Sequence, residues 1–409
     1  MNKKKRNHPC ICRLFAGLLG ISLAVSPISV SAKDWDRIDG VFLMPDKTPV
    51  ENAIARGIDV SYWKMDIDWE QVAADDVDFA MLGTRFRGNV DPYFPINAEK
   101  ASEAGLDIGA YIYSYATTVE MAEQEADFVL NLIKDYPISY PVAFDAEDNA
   151  TLGTLAPSQV SEIINAFCRK IEAAGYYPML YANEHWLSDK IDMSMIDCDI
   201  WVARYNTMYT YAAPSMWQAT NTGLINGVNG NVDIDFLFTD YSLIIPANTW
   251  RTIAGSRYYY QNHRLQKSAW IHDGLNWYYM NDTGNPETDW KNISETWYYL
   301  GPDGAMQTGW QQINGVWYYL DSSGAMQTGW QFINGLWYYL DFSGAMQTGW
   351  QQINGQLYYL DIPNGHLAVN TVLEQNGIYY QADMNGICFP IMTSPGQNPP
   401  AAQDVNSSP

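Results

Sequence analysis

Basic residues are scarce in this chain: 23 Lys and Arg stand against 46 Asp and Glu, a formal charge of −23. A surface of that sign argues against nucleic acid as a partner. Cysteine is nearly absent too. Of five, Cys10 and Cys12 fall in a segment expected to be removed, and the remaining Cys168, Cys198 and Cys388 form an odd, sparse set that gives no disulfide framework. The five histidines are scattered without metal-ligand spacing, so no metal and no other cofactor is expected. Long apolar runs are missing as well. The stretch from Leu14 to Val25 is too short to cross a bilayer. It follows Lys3, Lys4, Lys5, Arg6 and Arg13 and precedes Val30-Ser31-Ala32, the pattern of an export signal cut after Ala32. Its removal takes the formal charge to −28 and leaves a secreted mature chain with no membrane span.

What is present is periodic. Tryptophan recurs every twenty residues at Trp250, Trp270, Trp290, Trp310, Trp330 and Trp350, and a second one follows seven later at Trp277, Trp297, Trp317 and Trp337. A fixed period means a repeat architecture. Asn314-Gly315 and Asn334-Gly335 sit between the aromatic runs, and such Asn-Gly pairs tolerate the positive φ of a tight hairpin turn. Each unit is therefore read as one β-hairpin. A lone hairpin buries too little to be stable, so the copies are expected to stack as an all-β solenoid of hairpins.

On a strand, Trp317 and Tyr319 share a face and Tyr318 points away. One aromatic set can thus pack inward while another lines a groove between neighbours. From Gly301 to Asp361 the only charged side chains of Asp, Glu, Lys or Arg type are Asp303, Asp321, Asp341 and Asp361. A groove of aromatic faces without Lys or Arg suits a quaternary ammonium held by cation–π attraction; sugars stacking on the same rings are the other fit. Gly-Ala-Met-Gln-Thr-Gly-Trp, from Gly304 to Trp310 and twice more, resembles the choline-binding repeats of bacterial cell-wall enzymes. That resemblance implies a site between successive hairpins, expected from Trp290, Trp297 and Tyr319, from Trp310, Trp317 and Tyr339, and from Trp330, Trp337 and Tyr359. The end copies depart from the pattern. Arg257 and Leu357 replace the second tryptophan in the first and sixth, and a seventh around Asn376-Gly377 reads as a cap.

Between signal and repeats, apolar runs suggest eight strands near 56–61, 78–84, 109–115, 141–147, 178–182, 199–204, 215–219 and 232–237. Helical signals separate the early ones: a Thr117/Glu120 capping box, and Val160, Ile163, Ile164, Phe167 and Ile171 on one face. The later gaps are too short for helices. The expected fold is a reduced α/β barrel of (β/α)5β3 type, with its chemistry at the C-terminal strand ends. There, in Phe144-Asp145-Ala146-Glu147, period two points Asp145 and Glu147 the same way. Repulsion and burial should raise one pKa, giving the acid and carboxylate that glycoside hydrolysis needs. Asp59 and Asp233 can converge on the same pocket.

Gly57-Ile58-Asp59-Val60-Ser61-Tyr62-Trp63, Asp91-Pro92-Tyr93-Phe94, Gly109-Ala110-Tyr111, Phe144-Asp145-Ala146-Glu147, Tyr181-Ala182-Asn183, Trp217-Gln218 and Val232-Asp233 follow, in order, the pattern of glycoside hydrolase family 25 lysozymes, which they closely resemble. The resemblance implies a muramidase cutting the β-1,4 bond from N-acetylmuramic acid to N-acetylglucosamine. By that analogy Glu147 is the general acid, Asp145 orients or stabilises, in one version through the substrate's own acetamido group, and Asp59 and Asp233 complete the catalytic pocket. Tyr62, Tyr111, Tyr113, Tyr181 and Trp217 are candidates for sugar stacking and equally for core packing. Arg85-Phe86-Arg87-Gly88 departs from relatives that carry an acid after the second strand. The expected organisation is a signal peptide (1–32), a linker (33–53), a catalytic domain (54–246), wall-binding repeats (247–388) and a disordered tail (389–409). The partners implied are peptidoglycan and a choline-bearing wall polymer of teichoic acid type, or another wall glycan. A wall-attached binding protein with a dead barrel is the other class, and the four retained carboxylates argue against it.

Overall fold

The computed structural model describes residues 35–392, 401 and 403–404. The signal segment 1–32 lies outside the described residues, as does most of the tail. Eight strands close a barrel: β1 (Ala55–Val60), β2 (Phe79–Gly83), β3 (Asp107–Tyr113), β4 (Ile138–Asp145), β5 (Pro178–Asn183), β6 (Asp199–Ala203), β7 (Met216–Gly223) and β8 (Val232–Leu237). Neighbours run parallel except β8, which is antiparallel to both β7 and β1. Helices α1 (Trp69–Ala74), α2 (Phe94–Glu103), α3 (Val119–Ile133) and α4 (Pro157–Ala173) follow the first four strands. After β5 the helix shrinks to a π-helical turn, Trp186–Lys190. Thr118, not Thr117, caps α3: its side chain accepts from Met121 N, while the Thr117 hydroxyl turns to Met121 Sδ. The α4 stripe is as expected, with Val160, Ile163, Ile164, Phe167 and Ile171 all buried.

Parity along the strands divides the apolar side chains into two cores. Phe79, Met81, Ala143, Met179, Tyr181, Trp201 and Met216 fill the barrel interior. The alternate residues pack outward against the helices. Gly57 makes room for this filling, since a Cβ there would sit 2.3 Å from the Phe79 ring. The segment expected as a linker folds instead. Residues 37–50 form a three-stranded sheet, because Trp35 and Phe42 are too apolar to stay in solvent and bury against Phe236, with ring centroids 5.7 and 5.2 Å away. Cys168 and Cys198 meet with their sulfurs 3.5 Å apart, as free thiols.

Seven hairpins follow the barrel. Asn314 and Gly315 both take positive φ (51° and 82°), which the two-residue turn requires. Each of the middle copies pairs tryptophan with the second tyrosine across the hairpin, as Trp310 with Tyr319. The described parts of the expected tail pair with the repeats. Cys388–Pro390 pairs with the last hairpin, and Gln403–Asp404 pairs with Leu373 and Glu374, covering strand edges that would otherwise be open. The first hairpin docks on the barrel. Arg251, 1% exposed, lies 3.9 Å over Tyr176 and 4.4 Å over Tyr260 and donates to Gly175 O; Tyr260 donates to Lys134 O at 2.7 Å. These partners sit in the loops that lead from α3 to β4 and from α4 to β5. The repeats therefore join the N-terminal face of the barrel, opposite the strand ends where chemistry is expected.

Candidate active site and aromatic grooves

Asp59 is the penultimate residue of β1, Asp145 ends β4, and Glu147 lies two residues beyond it. Because β8 runs antiparallel, its first residues reach the same face, and Asp233 pairs with Asp59 across the strands. The fold thus brings all four expected carboxylates to one mouth. Asp59 and Asp145 are 7% and 8% exposed; Glu147 and Asp233 are half-buried. Burial pushes all four pKa values up, and Glu147 adds repulsion on Asp145 as Asp233 and Asp235 do on Asp59. The Asn183 N–H, donated to Glu147 Oε1, partly opposes the rise there. The Glu147 N–H in turn donates to Asp145 Oδ1 at 3.2 Å, fixing the D-x-E turn. All four being raised, acid and carboxylate are divided by position. Glu147 stands proud on the loop and Asp145 lies deeper.

Three contributors went unassigned from sequence. Asp235, fully buried one layer below Asp233, accepts from Trp201 Nε1 at 2.9 Å and lies against the Asp59 carboxyl; burial and Asp233 raise its pKa well above the usual range. Its signal was the alternation in Val232-Asp233-Ile234-Asp235. Gln218 donates to Asp59 Oδ2 at 2.6 Å and accepts from the hydroxyls of Tyr181 (2.7 Å) and Tyr205 (2.9 Å). Tyr205 is the third.

Of the expected sugar stackers, Trp217 is displaced. It is fully buried outside the barrel against Trp35 and Phe236, and its Nε1 donates to Arg204 O. Since Gln218 faces inward, period two turns Trp217 out. Tyr181 is buried and spends its hydroxyl on Gln218, while Tyr111 packs edge-on to Trp201. Tyr62 stacks on Phe86 at 3.7 Å, with Trp63 beside it 68% exposed, and the buried Asp91 carboxylate holds the Tyr62 N–H. Tyr113 donates to Asp148. The unusual Arg85 pairs with Glu125 at 2.6 Å and donates to Tyr113 O, bracing that rim.

In the repeats, Trp310 and Trp317 stand perpendicular, 6.4 Å apart, and Trp330 and Trp337 do the same at 6.5 Å. The third wall is not the expected tyrosine. Trp290, Trp310 and Trp330 each meet the first tyrosine of the next hairpin, Tyr318, Tyr338 and Tyr358, at 4.9 Å. Tyr319, Tyr339 and Tyr359 instead pair with the tryptophan of their own hairpin, Trp310, Trp330 and Trp350. The reason is the stacking. In a head-to-tail array the front of one hairpin meets the back of the next, so the facing residue has opposite parity. A fourth groove of the same kind, also missed, is lined by Trp270, Trp277, Tyr298 and Met306. The second tryptophans stay open, Trp277, Trp297, Trp317 and Trp337 being 38–46% exposed, which a purely structural ring would not be. Asp321 and Asp341 are not free attractors for a cation. Each caps its own turn, Asp321 accepting from Ser323 N, Ala325 N and Gln327 Nε2.

The family profile "Glycosyl hydrolases family 25" matches residues 58–228, and "Choline-binding repeat" matches 287–328 and 327–371, with "Putative cell wall binding repeat" at 268–285. Residues 58–228 form a glycosyl hydrolase family 25 domain. This family 25 glycosidase carries choline-binding repeats behind its barrel, and they associate it with the cell wall. Lysozyme M1 of Streptomyces globisporus is 26% identical over 208 residues, covering 45% of this chain and 68% of that one. The uncharacterized protein YegX of Escherichia coli K12 is 29% identical over 189 residues, covering 44% and 68%. Choline binding protein F of Streptococcus pneumoniae, solved with a peptidoglycan analogue, is 30% identical, with 46% and 67% covered and a TM-score of 0.35, a superposition too loose to bear on function.

Proposed function

We propose that this family 25 glycosidase is a secreted lysozyme. It hydrolyses the β-1,4 bond from N-acetylmuramic acid to N-acetylglucosamine in peptidoglycan, and its repeats hold choline-bearing wall polymer. The observation that carries the proposal is the convergence of Asp59, Asp145, Glu147 and Asp233 on one face of a closed barrel. Glu147, its pKa raised by burial, gives its proton to the glycosidic oxygen as the bond breaks. Asp145, deeper and fixed by the Glu147 N–H, faces the oxocarbenium-like carbon or orients the acetamido oxygen toward it. Gln218 holds Asp59 against the second wall of the pocket. In the repeats, three aromatic rings in edge-to-face contact form the corner of an open groove, lined in one copy by Trp330, Trp337, Tyr358 and Leu367, that suits a trimethylammonium head, which needs faces and no hydrogen-bond acceptor. Export rests on the signal pattern of residues 1–32.

Reducing-end analysis of digested walls is the test. New muramic acid reducing ends are expected; glucosamine ends, free amino groups or no new ends would overturn the assignment. Choline calorimetry tests the other half, and heat only with a glycan strand would move the repeats to sugar stacking.

A further inference from the structure

Six junctions in the solenoid set the leading tryptophan of one hairpin against the tyrosine of the next that stands at the Tyr318 register; the last, Trp350 against Tyr380 at 4.7 Å, has Leu357 in the second-tryptophan place, which leaves five to compare. The first of them, Trp250 against Tyr278, has the same 4.9 Å spacing as those formed by Trp270, Trp290, Trp310 and Trp330. It differs at the second-tryptophan position, and Pro286 stands where the next three have methionine. Arg257 pairs across the hairpin with Thr252, the place that Trp317 takes opposite Gln312. Its guanidinium carbon lies 4.1 Å over the Trp250 ring, and one of its nitrogens donates to Asp303 O at 3.3 Å. Asn285 Nδ2 donates to the Arg257 carbonyl, fixing the backbone, and Trp250 Nε1 donates to Asp273, holding the ring. None of the matched repeat profiles reaches this hairpin.

We infer that this groove is a cation cage occupied by the chain's own Arg257, so that the solenoid presents four sites to external quaternary ammonium and a fifth, latent one is sealed from within. A guanidinium over a tryptophan face satisfies the ring as an external cation would, and it does so without entropy of association. The seal also ties the first hairpin, which Arg251 clamps to the barrel, to the loop at Asp303 that follows the third. The inference deepens the choline reading and rests on it for the identity of the external ligand.

The test is titration calorimetry of the full chain with choline chloride. Arg257→Trp should raise the stoichiometry from four to five, and Arg257→Trp with Pro286→Met should do so as well, because Met306, Met326 and Met346 stand where the first groove has Pro286. Both variants, folded by circular dichroism yet still binding the wild-type number, would overturn the inference. A second readout needs no choline. In the wild-type protein the δ-methylene protons of Arg257 should be shifted upfield by the Trp250 ring, and Trp250→Leu should abolish that shift. Random-coil positions for those protons in the wild type would sink the self-occupied cage. Absence of any choline heat from the wild type, with the ring-current shift intact, would overturn the external ligand alone.

Discussion

The two halves of this molecule make sites in opposite ways. The barrel draws one pocket from residues scattered over β1, β4, β7 and β8, each occurring once, and tunes them by burial. The solenoid repeats one small unit, leaves its working rings exposed, and relies on stacking. A single change should therefore silence the barrel and only thin the solenoid. The contrast also explains where the acids go. In the barrel Asp59, Asp145 and Asp235 are buried at an energetic cost that raises their pKa values, whereas in the repeats Asp321 is drawn into turn capping and its pKa falls.

The sharpest break is Glu147→Gln. It should cut wall hydrolysis by about 10²–10⁴-fold, the usual scale for a lost general acid, while choline retention and the circular dichroism spectrum stay unchanged. Near-normal clearing of wall suspensions would show that the barrel does not concentrate its chemistry there. Gln218→Leu comes next. Removing the donor to Asp59 and the acceptor for Tyr181 and Tyr205 should lower kcat on the order of tenfold to a hundredfold, with KM moving less.

The solenoid should yield by degrees. Trp337→Ala should weaken retention on a choline matrix and leave hydrolysis of soluble muropeptides alone; Trp317→Ala with Trp337→Ala should lose more than twice the single effect in retention time, since weak sites act together. Equal retention in single and double variants would end the avidity argument.

The smallest effect is in the pH dependence of stability. Carboxyls whose folded pKa is raised hold their proton longer in the native state than in the unfolded one, so the native state binds more protons and stability falls as pH rises. For Asp59, Asp145 and Asp235 the stabilising contribution is full below the ordinary aspartate value of 3.8 and is lost as pH climbs through the raised folded values. Thermal melts from pH 4 upward should decline, and Asp235→Asn should flatten that decline. A melt temperature that rises with pH and is indifferent to Asp235→Asn would contradict the burial argument.

Much of this was legible from residue order. Eight strands followed from apolar runs, and the D-x-E at the end of the fourth from its place in the fold; the roles of Asp59, Asp145, Glu147 and Asp233 rested on the family resemblance. The repeats followed from a twenty-residue spacing. Both halves misled at the same point. Trp217 for Gln218, and Tyr339 for Tyr338, are each one residue off. Alternation says which residues share a face, but which face meets the pocket or the next hairpin is decided by closure and by stacking direction, and these are properties of the assembled fold. The sheet at 37–50 escaped for a related reason, since its few apolar residues, Trp35 and Phe42, make sense only beside Phe236.

The Arg251 clamp sets a working distance. It fastens the first hairpin, through Tyr176, Tyr260 and the backbone at Gly175 and Lys134, to the barrel face opposite the strand ends that carry Asp59 and Asp145. Because the joint is packed and not a linker, the spacing between the two is built into the fold.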